Sequence, residues 1–550
     1  MKLRIHLILA VSVGLASCTS TGGGGSKNAP PLPDYGEYER AIDGASQDVQ
    51  SWFDRGLTLV YGFNHEEGIK AFARAAELDP SCAMAWWGVA YGNGVDVNNM
   101  EVSDDEARLG AEAAQMALGL LDEGPSVERA LAEAVAERAV WPMPEDRSSL
   151  DEAYAERMGA AWRAYPKDPD VGCLYAEALM NLQPWDYWEA DGEARGRANE
   201  IVAVLERVFE LAPDHPGANH FYIHAVEASS DPERALPAAA VLETRIPGSG
   251  HLVHMPSHVY ITTGQYDRAV RSNQAAIAVD ETYFEANGRP AFYSLYFLHN
   301  IHFLAFAAMM EGRFQTALDA VRRMEDEVPE PFLREFTGYA DGLLPAVFHV
   351  LVRFGRWEDI LAEPEYPEFR RASRAVRRYG RTIALANLGR TDEARAELEA
   401  FDVEAAAVPE GWTMGTNPAS VVLALSRQVA EGEVLFKEGR EDEAFAVLEA
   451  AQVAEDALVY DEPPGWMLPV RHARGALLIA AGQPAAAERV YREDLEEWPR
   501  NGWSLLGLQQ ALRALGKSAE ADLMEQDVKA AWIRADVTPP ASCYCAASPD

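Results

Sequence analysis

SWFDRGLTLVYGFNHEEGIKAFARAAELDP, residues 51–80, decides the fold. Trp52, Gly56, Phe72, Ala75 and Pro80 take positions 4, 8, 24, 27 and 32 of a unit of about 34 residues. Trp86 and Ala90 then take positions 4 and 8 of the next unit. A small residue at position 8 lets two successive helices approach closely, a glycine turns the chain between them, and a proline stops the second. Each helix pair leaves an apolar face that only a neighbouring pair can cover, so the array has to stack.

The same grammar recurs along the chain. It reads Gly264-Gln265-Tyr266-Asp267-Arg268-Ala269, Gly312-Arg313-Phe314-Gln315-Thr316-Ala317, Gly355-Arg356-Trp357, Gly389 to Ala394 and Gly439 to Ala444, with last copies at Gly482 to Ala487 and Gly516 to Ala521. This spacing resembles the tetratricopeptide (TPR) repeat. The resemblance implies an all-α fold, an α-solenoid of antiparallel helix pairs wound as a right-handed superhelix. Strand patterns are essentially absent, and the stretch from about 95 to 165 reads as helical but off-period.

The chain has 550 residues, of which 48% are hydrophobic, enough for a large core. Its formal charge of −39 argues against a nucleic-acid partner, which needs basic surface. Lys2 and Arg4 precede an apolar run from Leu7 to Ala16, too short to span a bilayer and typical of a signal peptide. The run ends Leu15-Ala16-Ser17-Cys18, which resembles the bacterial lipobox. That resemblance implies lipidation of Cys18, and Thr19 in place of aspartate favours the outer membrane, on its periplasmic or surface face. The expected organisation is a signal peptide at 1–17, a lipidated flexible tether at 18–34 and N-terminal TPR helices at 35–165. Central repeats with a histidine-rich concave groove follow at 166–330, C-terminal repeats at 331–535 and a tail at 536–550. Cys543 and Cys545 in that tail read as soft metal ligands, a local disulfide, or halves of bridges elsewhere.

The histidines are not scattered. In TPR arrays, positions 2, 5 and 9 of the first helix of each pair face the concave surface. One repeat puts His220 at 5 and His224 at 9, with Glu227 at 12. The next puts His251 at 2, His254 at 5 and His258 at 9, and a third puts His299 at 2 and His302 at 5. His349 and His472 take such positions further on, and only His65 and His215 of the mature histidines fall elsewhere. Random scatter would put roughly one of them there.

Imidazoles at i and i+4 stack about 6 Å apart on one helix face, a separation suited to sharing a metal ion. Two neighbouring helices of this kind supply three or four nitrogen ligands, enough for copper, iron or zinc. Glu227, one turn beyond His224, is a candidate ligand, orienting group or general base. Met255, Met309 and Met310 are candidate thioether ligands, although packing is the commoner role for methionine. Pro256 predicts either a kink between His254 and His258 or a helix start that leaves His251 on the Gly248–Gly250 loop. Trp185, Tyr187 and Trp188 are candidates to wall one side of the groove. The competing expectation is a groove that holds a peptide or protein partner without a metal.

His215-Pro216-Gly217-Ala218-Asn219-His220, His254-Met255-Pro256-Ser257-His258 and His299-Asn300-Ile301-His302-Phe303 are similar to segments of a broad group of bacterial TPR lipoproteins. The likeness extends nearly end to end and implies fold and extent, not chemistry. Gly516-Lys517-Ser518 lacks the earlier glycine of a phosphate loop, which is Ala511, and neither a His-Glu-x-x-His nor a Gly-x-Ser-x-Gly motif occurs.

Overall fold

The glycines that punctuate the repeats adopt a backbone that side chains resist. Gly264, Gly312, Gly355, Gly389, Gly439, Gly482 and Gly516 have φ between 63° and 79°, the left-handed region where a Cβ is penalised. In the computed structural model, which describes residues 34–189, 192–289 and 293–546, each of them turns the chain between two antiparallel helices. Such pairs include Tyr293–Met310 with Phe314–Glu327, Arg371–Asn387 with Thr391–Ala406, and Ala419–Lys437 with Glu441–Asp456. The protein is an all-α solenoid of TPR-type pairs. Its one ladder among the described residues joins Thr413–Met414 to Asn417–Pro418. The leader, Cys18 and the tether up to residue 33 lie outside the described residues.

Position 8 works as the spacing predicts. A Cβ on Gly56 would fall 2.7 Å from the ring of Phe72, so only glycine lets Gln47–Tyr61 close on His65–Leu78 at that point. The off-period stretch is helical as expected, as Asp104–Leu120, Val127–Arg138 and Ser148–Ala164. A core of buried side chains runs from Val49 to Trp503, and residues 34–546 make one body. No described helix is long and apolar enough to cross a membrane.

The C-terminal repeats reach back onto the central ones. Trp503 Nε1 donates to the carbonyl of Met309 at 2.9 Å. Asp536 accepts from the backbone N–H groups of Phe314 and Gln315 at 2.6 and 2.9 Å, supplying the acceptor that the start of Phe314–Glu327 needs. Cys543 and Cys545 form a disulfide with each other, and the other described cysteines, Cys82 and Cys173, are free and buried.

Candidate metal centre

Three elements present the central histidines. Pro216–Val226 starts with His215 at its N-cap, where Nδ1 accepts from Ala218 N at 3.1 Å, and with Pro216 at the first helical position. Gly250–His254 is capped by Ser249 and runs through Met255 into Pro256–Thr262. His251 is therefore helical rather than on the preceding loop. Pro256 divides the helix without reversing it, since Met255 keeps helical angles. Tyr293–Met310 is buried around nearly its whole circumference and carries His299 and His302.

Six of the imidazoles gather into two triads, and in both they meet through Nε2. His220 Nε2 lies 3.1 Å from His224 Nε2 and 3.1 Å from His251 Nε2. His254 Nε2 lies 2.8 Å from His258 Nε2 and 3.0 Å from His299 Nε2. The triads share one construction, with positions 5 and 9 of one repeat and position 2 of the next. A third copy would start at His302, but its position 9 is Phe306. His302 instead points Nε2 at Met467 Sδ, 3.0 Å away, outside both triads.

The other ring nitrogens decide what the Nε2 atoms carry. His220 Nδ1–H donates to the carbonyl of Tyr61 at 2.6 Å, one of the carbonyls left unpaired at the end of Gln47–Tyr61. His224 Nδ1–H donates to Glu227 Oε1 at 3.0 Å, and His258 Nδ1–H to Glu227 Oε2 at 2.9 Å. Asn273 donates its Nδ2 to the Ala269 carbonyl, which turns Oδ1 toward His254 Nδ1 at 2.6 Å. With Nδ1 acting as donor, each neutral ring presents a lone pair at Nε2. His220 and His224 thus face each other lone pair to lone pair. Glu227 joins the two triads, one carboxylate oxygen to each.

Burial pushes His220, His224, His251, His254 and His299 well below the usual imidazole pKa, and neighbouring imidazoles add to the effect for each. Burial acts the same way on His258, but Glu462 and Glu227 outweigh it and raise that ring to about 10. Glu462 pairs directly with His258 Nδ1 and receives the hydroxyl of Tyr460. Burial first, then the charge of Glu227, raises the Glu462 carboxyl. A cationic His258 donates its Nε2 proton to His254, and a metal ion entering there displaces that proton.

Aromatic rings enclose both triads. Phe63 lies 4.4 Å from the His220 ring and 5.7 Å from that of His251, centroid to centroid. Phe303 lies 5.0 Å from both His254 and His258. Trp185 meets His224 edge-on at 4.9 Å and donates Nε1 to the carbonyl of Val97, while Trp188 donates to the carbonyl of Ala225 and Tyr187 is buried. Met255, Met309 and Met310 are buried in the main core. Of the six triad residues, five are at most 2% exposed, and only His299 is half-buried. Each triad is geometrically able to hold a metal ion, as is the set His224, Glu227 and His258.

Sequence reasoning missed several partners. Phe63 occupies the turn position that is glycine in later repeats, and holds φ 56° there. Tyr61 acts through its backbone, Asn273 lies on the following helix, and Glu462 comes from the connection between Glu441–Asp456 and Val470–Ala480. The one sign of Glu462 was the length of that connection. The remaining histidines serve locally: His472 pairs with Asp494 at 2.9 Å, His65 with the Gly92 carbonyl at 3.0 Å, and His349 lies against Trp466.

Fold and site define a class, a TPR-type solenoid with a buried six-histidine centre. No family model matches the chain, and no curated protein matches it. Among solved structures it is similar to the human IFIT1 dimer with m7Gppp-AAAA, at 12% identity over 86% of this chain and 88% of that one, with a TM-score of 0.35. Yeast Tom70 is similar at 11% identity over 88% of this chain and 90% of that one, with a TM-score of 0.27. The fold assignment rests on the helix pairs themselves.

Proposed function

We propose that this protein is a cell-envelope lipoprotein, held at the outer membrane through Cys18, that binds two transition-metal ions, one in each histidine triad. The observation that carries the metal reading is the 3.1 Å approach of His220 Nε2 and His224 Nε2, whose Nδ1 hydrogens are both already donated. A cation between them turns that repulsion into coordination. Imidazole nitrogens at about 2.0–2.1 Å suit copper, zinc or iron. Three protein ligands per ion leave a position for a small exogenous group, the pattern of a catalytic rather than a structural site. Glu227 orients a ring in each triad and so acts behind the ligands, not among them. A peptide- or protein-binding role would have to use surface away from these covered histidines.

Elemental analysis tests this reading. The full-length chain, purified without chelators or affinity histidines, should carry close to two ions per molecule. A His254→Ala/His258→Ala variant should carry one. Metal-free protein in both preparations, persisting after reconstitution, would overturn the proposal.

A further inference from the structure

We infer that the two ions are copper and that the pair binds dioxygen between them; this rests on the metal reading above. The triads are neighbours, because rings of different triads are as close as rings of the same one. His224 and His258 lie 5.4 Å apart and His251 and His254 5.9 Å, centroid to centroid, while His258 and His299 within one triad are 5.7 Å apart. One small molecule between the triads can therefore meet both ions.

The donor set selects the metal. All six candidate ligands are imidazole nitrogens, with Glu227 accepting from His224 and His258 and Glu462 ion-paired with His258 behind them. No arginine or lysine is among the described residues that hydrogen-bond to these rings. A site built from nitrogen donors alone binds copper most tightly of the divalent first-row ions. Imidazole suits copper in both oxidation states.

Two reduced copper ions with neighbouring open positions select the ligand. Two Cu(I) ions each give one electron to O2, forming two Cu(II) ions and a bridging O2 dianion. Two metal–oxygen bonds form, the O–O bond order falls, and no proton is taken up. The surroundings fit a small apolar molecule, because Phe63, Phe303 and Tyr296 pack against the rings. Entry is easiest beside His299, the least buried of the six.

The test loads the full-length chain with two equivalents of Cu(I) without air, then titrates oxygen while following its consumption, near-ultraviolet absorption and the Cu(II) paramagnetic signal. The expected result is one O2 per two coppers, a new charge-transfer band, and little Cu(II) signal because the bridged ions couple. A His299→Ala variant should keep about one copper and lose uptake at least tenfold. If the intact chain holds two coppers yet takes up no oxygen, the inference fails and the metal reading stands. If it holds no copper, zinc or iron, both fail.

Discussion

His224 and His258, on successive repeats, both give their Nδ1 hydrogen to the same carboxylate, Glu227, at 3.0 and 2.9 Å. Two rings from different triads are thereby fixed in one tautomer by one side chain. Glu227→Gln should leave both ions bound but weaken binding about 10–100-fold, the usual effect of losing a group that orients ligands. A competition titration against a calibrated chelator measures this. Complete loss of one ion would instead make Glu227 a direct ligand.

Phe63 holds φ 56° where later repeats have glycine, a conformation that costs about 1–2 kcal/mol for a residue with a Cβ. Phe63→Ala keeps that strain and loses the ring, so it should destabilise by about 3–5 kcal/mol. Phe63→Gly relieves the strain and should be more stable than the alanine variant by about 1 kcal/mol. Thermal melts of the two variants give the order, and the reverse order would mean that the backbone here is unstrained.

The fold was largely legible because its signals are local. Gly264 and its counterparts mark turns that only glycine makes comfortably, and Gly56 marks a close helix contact through its own missing side chain. The ligands were legible for the same reason, since His220 and His224 or His254 and His258 share a helix face at fixed spacing. Their partners come from elsewhere in the chain, and periodicity does not report on that. Glu462 arrives on a loop more than 200 residues from His258, Tyr61 contributes a carbonyl that any residue would have, and Phe63 stands in a glycine's place. His302 has the right register but no position-9 partner, because Phe306 ends the pattern.

Turn glycines should separate by what surrounds them. A Cβ on Gly264 would lie 2.2 Å from the carbonyl oxygen of Pro499, whereas one on Gly389 meets nothing within 4 Å. Both have positive φ, so Gly389→Ala should cost about 1 kcal/mol from conformation alone. Gly264→Ala adds displacement of the C-terminal repeats and should cost at least about 2 kcal/mol. Denaturant titration compares them, and equal losses would mean that the contact with Pro499 yields freely.

Acid should destabilise the metal-free protein through its buried histidines, the low-pKa rings of the triads and also His65 and His349 outside them. Burial lowers His65 to about 4 and His349 to about 3. Below pH 6.5 the unfolded chain protonates these rings while the folded chain does not. The unfolded state then binds more protons, and stability falls as pH drops from 6.5 toward 3–4. Each ring contributes a slope on the order of 1 kcal/mol per pH unit. Melts of chelator-treated protein between pH 8 and 5 should show the decline starting near 6.5. A His349→Gln variant should show a shallower one, and an unchanged slope would mean that water reaches this ring.

Anomalous diffraction from crystals of the metal-loaded protein would locate the bound ions. Two peaks are expected, one about 2.0–2.1 Å from Nε2 of His220, His224 and His251, the other equally close to Nε2 of His254, His258 and His299. No peak at either triad, or a single ion held elsewhere, would contradict the account.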